Sequence, residues 1–147
     1  MTVVVAVLDA SIAAAWFLPD EASDVSDNAY ALMRRGKLIL HAPELWLWEC
    51  GNIVANSVKR RRLSIADALL AWSAVDSIRS RIALLPPEPA QAASALPLAL
   101  EHGLSLYDAA YLRLAIALQI PLLTADRALI RAASANAVLP LSLDDLS

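Results

Sequence analysis

An α/β domain built on a mainly parallel sheet is the fold class this chain predicts, and three observations predict it. Short apolar runs of strand character alternate along the chain with helical stretches, the pattern of strand–helix–strand units. The first run, Val3-Val4-Val5-Ala6-Val7-Leu8, is apolar without interruption, which suits a strand covered on both faces. The length of 147 residues is that of one domain, residues 1–147, able to bury roughly 70% of its unfolded surface.

Taken in order, the first strand spans 3–8 and a short helix from Ser11 to Phe17 ends before Pro19. Glu21 to Arg35 reads as a helix stopped by Gly36, a residue suited to a left-handed C-terminal position. Leu38-Ile39-Leu40-His41 is the second strand, after which Pro43 opens a helix to Arg61, its φ fitting a first turn. Ser64 caps a helix reaching Ser80, and Ile82 to Leu85 is the third strand, closed by Pro86-Pro87. Glu88 to His102 is helical, with Pro97 predicting a kink or break and Gly103 an end. Ser105 caps an apolar helix to Gln119, and Leu122-Leu123-Thr124 is the fourth strand. Ala125 to Ser134 forms the last helix, and Ala137-Val138-Leu139 is a weak fifth strand. The expected sheet therefore has about five strands, with no repeat or long linker.

Composition narrows the function classes. The hydrophobic fraction of 59% and mean hydropathy of +0.53 are high, yet every window of about 18 residues carries a charge, against a spanning helix. No basic stretch precedes the first apolar run and Asp9 interrupts it, against a secretory signal, so a cytoplasmic location without membrane contact is expected. The surplus apolar residues, Trp16, Trp46, Trp48 and Trp72 among them, suit a partner surface or a dimer interface. The single cysteine, Cys50, excludes an internal disulfide framework and a cysteine-based zinc site, and reads as a buried thiol. A net charge of −3 does not advertise nucleic-acid binding. The one dense basic cluster, Lys59-Arg60-Arg61-Arg62, also suits a helix C-terminus.

Four acids carry the chemistry. Asp9 and Asp126 follow the first and fourth strands, and ligands of open parallel sheets bind beyond the carboxyl ends of strands. Each also suits the N-terminus of the next helix, so capping is the competing role. Both loops converge only if their strands are neighbours. Glu49 lies inside a helix, on one stripe with Asn52 and Asn56 between tryptophans, which predicts a half-buried polar seam. Asp108 sits near the start of a helix apolar on nearly every face, where Ser105 and Asp108 also form a capping pair. Two like charges about 4 Å apart repel by roughly 1 to 4 kcal/mol. A hard divalent cation removes that cost, and Mg2+ prefers carboxylate oxygen. On this reading Asp9 is there to hold a metal.

The ordered pieces Leu8-Asp9-Ala10-Ser11, Pro43-Glu44-Leu45-Trp46-Leu47-Trp48-Glu49-Cys50-Gly51-Asn52, Leu104-Ser105-Leu106-Tyr107-Asp108-Ala109-Ala110-Tyr111 and Leu122-Leu123-Thr124-Ala125-Asp126 span nearly the whole chain. Together they resemble the PIN-domain ribonucleases, most closely the VapC-type toxins of toxin–antitoxin pairs. The resemblance implies a three-layer α/β/α sandwich, with Asp9, Glu49, Asp108 and Asp126 as catalytic and metal-holding acids. Ser11 and Thr124 would be supporting hydroxyls. It further implies Mg2+ or Mn2+ as cofactor and RNA as substrate, hydrolysed by water to leave a 3′-hydroxyl and a 5′-phosphate. Arg60 to Arg62 or Arg127 would steer the RNA backbone, and His41 and His102 would be structural. The partners implied are a small cognate antitoxin and a second copy of the chain in a homodimer.

Three rivals stand beside this. The first is an inactive RNA- or protein-binding module whose acids are caps. The second is a metal-dependent phosphatase using Asp9 as nucleophile, although the usual second Asp two residues on is here Ser11. The third is a structural partner protein without catalysis, suggested by the tryptophans.

Overall fold

A computed structural model describes residues 2–21, 23–139 and 141. The expected domain limits at residues 1 and 147, and Ala22 of the expected second helix, lie outside the described residues.

Four strands form one parallel sheet: β1 (Val4–Leu8), β2 (Leu38–Pro43), β3 (Ile82–Leu85) and β4 (Leu122–Leu123), in the order β3-β2-β1-β4. The register sets Val7 beside His41 on one flank and Leu122 on the other, so β1 is paired on both edges. Ala6, Val7 and Leu8 are fully buried, as the unbroken apolar run requires.

Between β1 and β2 lie α1 (Ala10–Phe17) and α2 (Asp24–Arg34), and between β2 and β3 lie α3 (Leu45–Lys59) and α4 (Ile65–Arg79). Both crossovers step in the same direction along the sheet, so the right-handed rule puts these helices on one face. Contacts of α1 with α2, α3 and α4 agree. The connection from β3 to β4 carries α5 (Pro89–His102) and α6 (Leu106–Leu118) back past β2 and β1, which puts them on the opposite face. There α6 packs on β1 and β2 and against α7 (Arg127–Ala135). The result is the three-layer α/β/α sandwich.

Local chemistry explains the boundaries. Ser23 accepts a bond from the Ser26 amide at 3.2 Å and so starts α2 three residues later than Glu21. Gly36, at φ +69°, ends that segment, and the Lys37 amide returns to the Leu32 carbonyl at 2.9 Å. Pro43 does not open α3 but ends β2, in register with Leu85, since its φ also suits extended chain. α5 runs unbroken through Pro97, which with Ala93 one turn earlier lies on the solvent side, where water can take the freed carbonyl.

The expected fifth strand is absent among the described residues. Ala137 adopts φ +58° straight after α7, and only one backbone bond, Leu122 amide to Leu139 carbonyl at 3.4 Å, touches β4. Val138 is buried there as part of the core. The sheet thus has four strands.

Candidate active site

Strand order decides the first question about Asp9. β1 feeds helices on one face and β4 arrives from the other, so the sheet's topological switch point lies between these two neighbours. Open parallel sheets bind ligands in a crevice beyond the strand ends at such a point, and both acids stand at that position. Asp9 follows β1, with its amide bonded to the Leu123 carbonyl of β4 at 3.0 Å, and Asp126 stands three residues beyond β4.

Asp9 is only 5% exposed, and its side chain makes no cap bond to α1. Its Oδ2 instead accepts two hydroxyls, from Thr124 at 2.6 Å and from Ser11 at 2.8 Å. Each hydroxyl is itself oriented by a backbone amide. Ala125 donates to Ser11 Oγ and Asp126 donates to Thr124 Oγ1, both at 3.1 Å. With those acceptor positions occupied, the hydroxyl protons point at Asp9, and Oδ1 is engaged by neither. The pair also stitches the ends of β1 and β4 together.

The other acids come from three different elements. Asp126 uses Oδ1 to cap α7, accepting the Leu129 amide at 3.1 Å, so the capping role holds for that oxygen. Asp108 enters on the first turn of α6, where its amide donates to the Ser105 Oγ cap at 3.0 Å. Glu49 comes from the opposite layer, one turn into α3, between the fully buried Trp46 and Trp48, which is 78% exposed. Its stripe partner Asn52 is exposed and Asn56 half-buried, so the expected seam is wetter than its tryptophans suggest.

Electrostatics tie these positions together. Burial pushes the Asp9 carboxyl above its ordinary value, its two hydroxyl partners pull it back, and Asp126 pushes it up further. Burial likewise raises Glu49; Tyr111 opposes that, while Asp9 and Asp108 add to it. Asp108 is raised by burial and then by the charges of Asp9 and Asp126. Asp9 thus feels or exerts the field of each of the other three. None of the four acids takes part in an ion pair among the described residues.

The donor set is all oxygen, the chemistry of a hard divalent cation. Among the described residues no group of three His, Cys, Asp or Glu side chains forms a ready-made metal cage. Mg2+ ordinarily takes one or two protein carboxylates and fills its other positions with water and substrate phosphate. The residues therefore fit such an ion in kind, with Glu49 Oε1 buried and without a hydrogen-bond partner. An orphaned buried acceptor of that sort costs about 1–3 kcal/mol.

The expected basic contacts divide. Arg60 lies eleven residues past Glu49, about 16 Å along α3 and away from the strand ends. Arg62 is engaged by Asp20 at 2.6 Å and Glu21 at 2.9 Å. Arg127, exposed at the start of α7 beside Asp126, is the one of the four at the crevice end. Cys50 is buried, and burial beside Glu49 raises its thiol far above the usual range. His102 Nε2 lies 3.0 Å from Asn136 Nδ2, linking α5 to the end of α7.

Two features are less evident in the sequence. Tyr111 passes there as one more apolar residue of α6, though a spacing of three from Asp108 puts both on one face. Trp48, Trp72, Leu69 and Tyr107 are exposed and, with Leu45 and Ile53, line an apolar groove of about 1110 Å³ that reaches Glu49.

The family follows from this frame. Residues 6–135 match the PIN-domain model, and the chain belongs to the PIN-domain family. Within it the likeness is to the VapC type. Ribonuclease VapC3 of Pyrobaculum aerophilum is 30% identical over 129 residues, covering 84% of this chain and 90% of that protein. Two solved structures share the fold. PAE2754 from Pyrobaculum aerophilum has a TM-score of 0.68 at 24% identity, covering 88% of this chain and 79% of its own. VapBC2 from Rickettsia felis, bound to a DNA fragment from its promoter, has a TM-score of 0.60 at 18% identity, covering 92% and 96%.

Proposed function

We propose that this chain is a divalent-metal-dependent endoribonuclease and the toxin of a toxin–antitoxin pair. One observation carries the reading: Asp9 and Asp126 stand at the ends of the neighbouring strands β1 and β4, Glu49 and Asp108 both feel the charge of Asp9, and none of the four has an ion-pair partner among the described residues. Such a constellation is costly as an ordinary surface and useful around a cation. The relative named as a ribonuclease supports RNA as the substrate.

Asp9, Glu49, Asp108 and Asp126 would hold one or two Mg2+ or Mn2+ ions. When bound, such a cation acidifies water and offsets charge building on the scissile phosphate. Ser11 and Thr124 hold Asp9 in one orientation by donating to the same oxygen, and so act as positioning residues. Arg127 stands where the RNA backbone would approach. Hydrolysis by this route needs no imidazole.

The apolar groove beside Glu49 is a suitable seat for an amphipathic segment of a small antitoxin, which would cover Trp48 and Trp72 and shield the acids. The complex of the Rickettsia felis protein supports such a partner. A homodimer, in the cytoplasm, completes the proposal. Among the described residues no helix is long and apolar enough to cross a membrane.

The deciding experiment is RNA cleavage by the purified chain with Mn2+ or Mg2+ and with EDTA, beside Asp9→Asn. Cleavage is expected only with metal and only in the parent. A variant as fast as the parent overturns the catalytic assignment.

A further inference from the structure

Two buried polar atoms, one on α3 and one on α6, are left without a partner. Tyr111 is fully buried, yet its hydroxyl has no hydrogen-bond partner, and neither does the buried Oε1 of Glu49. A phenol hydroxyl enclosed by a core normally finds an acceptor, and the sequence could satisfy this position with phenylalanine at no polar cost. Burial raises the Tyr111 phenol far above its usual range and the neighbouring Glu49 charge adds to it, while Tyr111 offsets part of the burial that raises the Glu49 carboxyl. Tyr111 stands one turn beyond Asp108 on α6, so a single helix face presents both an acid to the crevice and a hydroxyl toward the acid on the opposite layer.

We propose that Tyr111 is a positioning residue for Glu49: its hydroxyl, buried between the two helical layers, donates to one carboxylate oxygen and leaves the other to face the crevice. The contact is loose in the free protein and closes when Glu49 takes a cation, as site hydrogen bonds commonly tighten on loading. Glu49 thereby gains what Ser11 and Thr124 give Asp9. The inference rests on the metal-site reading above and extends it to a residue outside the four acids.

The test uses Mn2+ alone as the probe, with the full chain and no RNA. Calorimetric titration compares the parent, Tyr111→Phe, Glu49→Gln and the double variant, with melting in EDTA as the control for folding. Tyr111→Phe is expected to melt no lower than the parent in EDTA while its Mn2+ dissociation constant rises about tenfold or more. In the Glu49→Gln background the same change should alter Mn2+ affinity less than about twofold. Equal Mn2+ binding by Tyr111→Phe and the parent overturns the inference and spares the site. A loss of the same size in both backgrounds overturns it as well, because the effect then does not pass through Glu49. If the parent itself binds no Mn2+, the metal-site reading fails and the inference falls with it.

Discussion

At the residue scale, Asp9 concentrates what is unusual about this chain: a carboxylate 5% exposed, after the buried end of β1, with two hydroxyls and, among the described residues, no ion-pair partner. Replacing it with asparagine keeps hydrogen-bonding capacity and removes one of the repelling charges. Asp9→Asn is therefore expected to melt higher than the parent in EDTA near neutral pH, by differential scanning fluorimetry, while losing cleavage. Thr124→Val leaves every acid in place but removes the donor at 2.6 Å and the acceptor for the Asp126 amide. Loss of one such supporting contact typically costs about 10–100-fold in metal affinity or activity. A fall of about that size in cleavage rate at fixed Mn2+ is expected, and an unchanged rate would show that Asp9 does not need its second hydroxyl.

At the scale of elements, the α3–α4 pair delivers Glu49 and shapes the groove beside it. The two helices approach closely at Gly51, where an added Cβ would lie 3.1 Å from Trp72 Cζ3. Trp72 is 40% exposed, so it can yield by a few tenths of an ångström. Glycine inside a helix costs about 1 kcal/mol relative to alanine. Gly51→Ala should therefore stabilise the chain by about 0.5 kcal/mol in urea unfolding. Gly51→Leu, which must displace the indole, should destabilise it. Ser64 and Ser105 cap α4 and α6 as their S-x-x-D spacing predicts, at 3.1 and 3.0 Å. By contrast Asp9, equally plausible as a cap in one dimension, spends its carboxylate on side chains from two strand ends.

For the whole molecule, the coupled acids make stability depend on pH and metal together. Asp9, Glu49 and Asp108 all have folded-state values raised above the unfolded ones. Between the ordinary carboxyl range and those raised values the folded chain holds protons that the unfolded chain has released. Stability contributed by these groups is therefore full below about pH 4 and declines as pH rises through that window. In EDTA the advantage of Asp9→Asn over the parent should grow between about pH 4 and 8. Mn2+ should reverse the trend in the parent, because it binds the deprotonated site and stabilises by mass action. Melting curves across that pH range, with and without Mn2+, check both signs. A parent whose melting temperature ignores Mn2+ at about pH 8 would contradict the metal proposal.

How much of this was legible differs by level. The alternation of apolar runs and helices, the unbroken first strand, and the serine caps are local properties, and residues 4–8, 38–43 and 82–85 form strands close to where they were expected. Local signals misled where two conformations share one backbone angle, as at Pro43, or where solvent relieves a lost bond, as at Pro97. The weak run at 137–139 lacked the length to hold a strand against the turn that precedes it. By itself, then, the sequence determined the fold class and the spacing of the four acids along the chain. Only the tertiary structure decided that β1 and β4 lie side by side, that both hydroxyls share one oxygen of Asp9, and that Tyr111 and Glu49 each bury a polar atom without a partner. Contacts between residues more than a hundred positions apart, such as Asp9 and Thr124, depend on strand order and crossover handedness, which no local pattern encodes.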